Sequence, residues 1–391
     1  MKLIYKVYDK PKFGQVIVFA FQQLLAILAA TIAVPSIVGN GMSQSAALFG
    51  AGVGTIVYLL FTKFKSPVFL GSSFAFLGSM FAAFGGAASV SVGYLGLIIG
   101  ALFAGLVYVV IALIVKFAGV NWIDKIMPAV VIGPTVAIIG LSLAGNAIGD
   151  LSKGNVFHDV IDEVTGLPVP VQDASVYLCI VCGLITLAVT MVSSVYGKKM
   201  MKLIPFIIGI GAGYVVAAVC TVIGNSADIA WLRIIDFSKF SSMQWIPSFA
   251  FLEAFKGFSA IDGAYIGTIA VAYIPVAFVV FAEHIADHKN LSSIIESDLL
   301  KDPGLSNTLL GDGVGSIAGA FFGGCPNTTY GESVGCVAIT GNASVVTILT
   351  TAVIFSRLLL RPVRNSPRHH SLMRNGRRLR GPLRIYSRIR T

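Results

Sequence analysis

Long apolar blocks separated by short polar joints set the pattern of this chain. About 20 apolar residues, at 1.5 Å rise each, cross the roughly 30 Å hydrocarbon core of a bilayer as a helix. Such blocks lie at 16–38, 46–62, 92–117, 126–148, 175–196, 203–223, 264–282, 305–324 and 343–360. Two more, 68–84 and 326–339, are shorter and interrupted. A polar loop is predicted up to Ala174. The connection from Gly224 to Gly263 carries Trp231, Trp245 and Phe249, which suits an interfacial segment. The pattern predicts an all-α, polytopic membrane protein.

The block from Ala264 to Ala282 has 19 residues and no charge; Glu283, His284, Asp287 and His288 then arrive within six residues. On a continuing helix Glu283 and Asp287 stack on one face, four residues apart, and the two histidines repeat that spacing one residue along. Two readings compete. In the plain one the span ends here and these groups sit among headgroups and water. In the other the helix continues and the carboxylates face inward to hold a substrate or a proton.

The interrupted blocks favour the second. One reads Pro67-Val68-Phe69-Leu70-Gly71-Ser72-Ser73-Phe74-Ala75-Phe76, the other Gly324-Cys325-Pro326-Asn327-Thr328-Thr329-Tyr330-Gly331-Glu332. A matched interruption in the two halves of a membrane protein points to a transporter site, where freed backbone groups and half-helix N-termini face a ligand. Glu332 in an apolar region is costly unless it is used.

Composition agrees. Of 391 residues, 56% are hydrophobic and 12% charged, against roughly 25% charged in soluble domains. The Lys-rich start leads into a full span without a cleavage site, so no cleaved signal peptide is expected. Cys179 and Cys182 have metal or redox spacing but lie mid-span without His or Cys partners, and read as helix packing; no metal or cofactor is expected. The net charge of +10 comes from eleven arginines between Arg357 and Arg390, a stretch without Lys, Asp or Glu; the rest of the chain holds 17 basic and 18 acidic residues. Alternating spans from a cytoplasmic N-terminus puts thirteen lysines inside and only Lys153, Arg233, Lys239 and Lys256 outside, which obeys the positive-inside rule.

Ala282-Glu283-His284, Asp298-Leu299-Leu300-Lys301-Asp302-Pro303-Gly304-Leu305, the run Pro326 to Glu332 and Leu70-Gly71-Ser72-Ser73-Phe74-Ala75-Phe76 occur in this order and spacing in one family. From about Gln15 to Phe355 the chain resembles the uracil/xanthine permeases among the nucleobase–ascorbate transporters. The resemblance implies fourteen spans in two inverted repeats of seven, with two short β-strands in broken spans three and ten. It implies core-domain segments 1–118 and 264–356 and the first repeat of a gate domain at 119–263. It places Glu283 and Glu332 on the nucleobase, with Phe74, Ala30, Tyr330 and Gly331 around it, and Asp287 with Glu283 in proton coupling. Carboxylates can accept from a nucleobase N–H, and Phe74 offers a flat apolar surface.

The family's usual Gln-His in the first span is Gln22-Gln23 here. Some members carry His where Asp287 stands. Ser333 replaces the Asn that usually follows Glu332, and Glu at 332, rather than Gln, favours uracil over xanthine. Spans twelve to fourteen are absent from the sequence, and segment 357–391 reads as a frameshifted, non-native tail; the functional alternative is a polybasic segment for anionic lipid or nucleic acid.

The leading expectation is a uracil:proton symporter of the cytoplasmic membrane, with small-molecule, proton and lipid partners, a homodimeric state and no nucleic acid. Alternatives are a xanthine or purine permease, a carrier of sulfate or bicarbonate, and a non-transporting remnant. An enzyme using Glu283, His284, Asp287 and His288 is disfavoured, since no His-Glu-x-x-His or Ser/His/Asp ordering is present.

Overall fold

The computed structural model describes residues 3–357, apart from 121, 127, 129, 131–132, 135–136, 139–140, 142–143, 162–167, 199–200, 202–203 and 241–246. The element order is α1 (Phe13–Val38), α2 (Gln44–Phe61), β1 (Leu70–Ser72), α3 (Leu77–Gly85), α4 (Val90–Ala118), α5 (Ile123–Ile126), α6 (Ala144–Leu151), β2 (Phe157–Ile161), β3 (Pro168–Gln172), α7 (Val176–Val195) and α8 (Pro205–Ser226). It continues with α9 (Ala250–Ala254), α10 (Gly263–Ile295), α11 (Leu305–Gly323), β4 (Asn327–Thr329), α12 (Gly331–Thr340) and α13 (Val345–Arg357). Among the described residues, α1, α2, α4, α7, α8 and α10 contain stretches long and apolar enough to cross a membrane.

Local chemistry sets the helix ends. Ser43 and Ser89 side chains accept from the Ala46 and Val92 amides, starting α2 and α4. Asp262 does the same for α10 through the Tyr265 amide at 2.7 Å. Gly39, at φ +70°, ends α1.

The two interrupted blocks fold as expected. β1 pairs antiparallel with β4, Leu70 opposite Thr329, Gly71 opposite Thr328 and Ser72 opposite Asn327. Each strand leads into a short helix, α3 or α12. Backbone groups at membrane depth must be satisfied within the protein. Side-chain hydroxyls finish what three residue pairs leave open: Leu70 N–H donates to Thr55 Oγ1 (2.9 Å) and Phe69 N–H to Ser333 Oγ (3.0 Å).

Two differences from the sequence reading stand out. The plain reading of the charged run fails, because α10 does not stop at Ala282 but continues to Ile295. The polar loop before Ala174 holds a hairpin, β2 paired antiparallel with β3. Pro168 and Pro170 hid it, since proline demotes a strand, yet a two-stranded ribbon consists only of edges, where a missing N–H is tolerated. The connection after α8 forms short helical turns, with Trp231 exposed as an interfacial residue would be. Trp245, ten residues of the 126–148 block and the Arg-rich segment 358–391 lie outside the described residues.

Helices α2 and α11 cross at backbone contact. A Cβ on Gly54 would stand 2.7 Å from the Gly315 carbonyl oxygen and 2.5 Å from Asn327 Nδ2; one on Gly315 would stand 2.8 Å from the Gly54 carbonyl oxygen. Glycine lets the two halves approach this closely, as small residues do between membrane helices. Gly54→Ala should therefore lower stability by about 1–3 kcal/mol, as overpacking does. A fall in melting temperature of the detergent-solubilised protein checks this. Gly78→Ala, where an added Cβ meets nothing within 4 Å, serves as the control and should cost nothing.

Candidate substrate site

The site is built from the middle of α10 and the β1–β4 pair. Glu283 and Asp287 are half-buried on α10, one turn apart. Thr329, the last residue of β4, donates its hydroxyl hydrogen to Asp287 Oδ2 at 2.8 Å. A Cβ on Gly331 would lie 3.6 Å from Asp287 Oδ1, so the start of α12 faces this carboxylate. Glu283 has Asp287, Asp312 and Glu332 as its charged neighbours. Glu332 stands in the first turn of α12 and is exposed; an acid there complements the positive end of the helix dipole.

Tyr330 is buried, and its hydroxyl donates to the Ser72 carbonyl at 2.5 Å while its own N–H donates to the Phe69 carbonyl at 3.2 Å. It thereby locks the end of β4 onto both ends of β1. Phe74 is half-buried in the turn leading to α3 and packs on the cluster that contains Phe76 and Tyr273. Ala30 is half-buried mid-way along α1, against the cluster that contains Leu70 and Tyr330. The residues singled out from the sequence thus lie on α1, α10 and α12 and in the turns that follow β1 and β4; direct contacts tie Asp287 and Tyr330 to the strand pair and its flanks.

The histidines do something else. His284 and His288 are fully buried, with stacked rings 4.0 Å apart. His288 Nδ1 faces the His284 carbonyl oxygen at 2.8 Å. That oxygen can only accept, so Nδ1 carries the hydrogen, and Nε2 stands 2.7 Å from the Tyr58 hydroxyl, which also bonds Ser66 Oγ at 2.7 Å. Thr308 donates its hydroxyl hydrogen to the Leu305 carbonyl (3.1 Å), so His284 Nε2–H donates to Thr308 Oγ1 (3.0 Å). His284 Nδ1 and Asp312 Oδ2, 2.7 Å apart, then share one proton. Both rings are fully engaged in joining α10 to α2 and α11. Among the described residues no group of three or more His, Cys, Asp or Glu is arranged to hold a metal ion.

Three residues that the sequence reading did not place at the site belong beside it. Asp312 is the only charged residue of α11, which was the available signal. Asn327 packs against Gly319 and donates through Nδ2 to the Gly50 carbonyl at 3.1 Å. Thr329 holds Asp287. Two of the departures from the family pattern also meet: Gln23 Nε2 donates to Ser333 Oγ at 2.5 Å.

Comparison with known proteins follows this geometry. The model of the Permease family of xanthine/uracil permeases matches residues 14–362. The chain belongs to this family. The permease is 37% identical over 358 residues to the uracil permease of Bacillus caldolyticus, which covers 90% of this chain and 73% of that protein. It is 36% identical over 336 residues to the uracil permease of Bacillus subtilis (strain 168), covering 86% and 69%. Against the uracil permease of Escherichia coli (strain K12) it is 30% identical over 357 residues, covering 89% and 73%. Its fold is also that of the transmembrane domain of a cyanobacterial bicarbonate transporter, BicA, at a TM-score of 0.60 and 14% identity over 92% of this permease and 87% of that chain. Family membership makes the protein a multi-pass membrane transporter rather than an enzyme.

Proposed function

We propose that this permease carries uracil across the cytoplasmic membrane in symport with protons, its N-terminus in the cytoplasm. Glu283 and Glu332 bind the base, Phe74, Ala30, Tyr330 and Gly331 surround it, and Asp287 takes the coupled proton. The observation that carries this reading is the β1–β4 pair with a half-helix leaving each strand: it supplies backbone donors beside two carboxylates. A uracil edge alternates N–H donors and C=O acceptors, which such a set matches. The named relatives supply the choice of base. An anion carrier on the same fold is disfavoured, because Glu283, Asp287 and Glu332 would repel its cargo.

Core segments 1–118 and 264–356 and a gate segment 119–263 complete the proposal. Support comes from packing. Two apolar clusters are drawn mainly from the first and third segments, with Ile123, Ala250 and Ala254 of the second joining one of them, whereas a third, around Ala174, Cys179, Cys182, Ala217 and Ile234, lies wholly within the second. The decisive experiment is equilibrium titration of the purified protein with uracil and with xanthine. Saturable uracil binding is expected; xanthine binding without uracil binding would overturn the choice of base.

Asp287→Asn should impair proton-driven uptake far more than binding. Thr329 would still be held, because an amide oxygen accepts the same hydrogen bond, but the side chain could no longer carry a proton. Uptake and binding measured across pH in one preparation check this. Unchanged pH dependence of uptake would make Asp287 a structural partner of Thr329 only.

A further inference from the structure

Side chains alternate in the segment before α1: Leu3, Tyr5 and Val7 are half-buried while Ile4, Lys6 and Tyr8 are exposed, and a turn closed by Asp9 N–H on the Lys6 carbonyl (3.1 Å) follows. The alternation has the period of a strand with one packed face. Its partner is the joint between α12 and α13. Ile4 N–H (2.7 Å) and Tyr5 N–H (3.2 Å) donate to the Gly341 carbonyl; Ala343 N–H donates to the Tyr5 carbonyl (2.9 Å) and Val345 N–H to the Val7 carbonyl (3.1 Å). Tyr5 bridges Asn342 in parallel register, and Ser344 donates its hydroxyl hydrogen to the Asp9 carbonyl at 2.6 Å. Leu3 and Val7 pack on the cluster that includes Tyr330, Val334 and Val337. The Tyr5 ring meets Phe19 edge-on at 6.0 Å, and its hydroxyl donates to Gln15 Oε1 at 2.8 Å.

α12 has ten residues. A helix that short is marginal alone, since nucleation is unfavourable and few bonds follow it. Its position therefore depends on what holds its two ends. β4 holds the start, where Glu332 stands; the N-terminal arm holds the finish at Gly341. We propose that residues 3–9 are a strap that fixes the far end of the Glu332 half-helix through the backbone groups of Ile4, Tyr5 and Val7. Its bearing on substrate rests on Glu332 being a ligand, as proposed above.

The strap can be tested without substrate. Cys336 lies on α12 and is 4% exposed; Cys325 precedes β4 and is 1% exposed. In the full chain, Ile4→Pro with Tyr5→Pro removes both donors to Gly341 and should raise maleimide labelling of Cys336, resolved by peptide mass, about tenfold. Labelling of Cys325 should not change. Tyr5→Phe keeps the backbone bonds and the ring and should label as the unaltered protein does. Ile4→Pro alone, which should raise Cys336 labelling severalfold, serves if the double variant does not fold. An unchanged Cys336 rate would overturn the strap, and so would an equal rise at every cysteine, which marks general loosening. Uracil titration of the same variants separates the two ideas. A tenfold loss of affinity alongside faster Cys336 labelling is the expected pairing. Faster labelling with unaltered affinity would keep the strap and overturn Glu332 as a ligand.

Discussion

Glu332→Gln should cost this permease most of its affinity for uracil while leaving insertion and folding intact. The side chain sits in the first turn of α12 and is exposed, so no internal partner is stranded by the change. A hydrogen bond to a charged group contributes about 1.5–3 kcal/mol, which is roughly a ten- to hundredfold loss. Glu332→Asp keeps the charge but withdraws it by one methylene and should fall between the two. Equilibrium binding measures both, and unaltered affinity in Glu332→Gln would remove Glu332 from the site.

Gly71→Ala should damage stability and binding together. A Cβ at this position would stand 2.5 Å from Tyr330 Cζ. The ring cannot retreat freely, because its hydroxyl is held on Ser72 and its amide on Phe69, both in or beside the same strand. Overpacking of this kind costs about 1–3 kcal/mol, and it falls on the strand pair that sets the site. Adding Tyr330→Val, which removes the ring, should recover much of the melting temperature but not the uracil affinity. That non-additive outcome is expected of residues in contact. Full recovery of affinity would show that Tyr330 only fills space.

The spans and the two interruptions were legible because each leaves a mark on the sequence, whereas the strand pair was expected only from the family resemblance. Apolar length marks the spans, and Gly, Pro and hydroxyl residues mark where a helix gives way. The charged run after Ala282 could not be settled by composition. The same four residues end a span or enter a site, depending on whether the helix goes on, and only Thr329 and Thr308, distant in sequence, show which. The histidines beside Glu283 drew attention that belonged to Thr329 and Asn327. Their roles depend on partners in α2 and α11, which no spacing on α10 reveals. The β2–β3 hairpin was hidden by its prolines, and the strap by its brevity.

The β1–β4 ladder has its midpoint at Gly71 and Thr328, and antiparallel pairing makes its two ends equivalent in backbone. The residues that follow are not equivalent: Phe74 lies beyond one strand and Glu332 beyond the other. If the nucleobase binds as proposed, a flat ring there would meet Phe74 on one flank and the Glu332 carboxylate on the opposite flank. The backbone alone would accept it in two orientations related by a half-turn, and these side chains remove that degeneracy. On the proposed reading, a ligand with one N–H-bearing edge and one bare edge would be held in a single pose, selected by two side chains rather than by the shape of the frame.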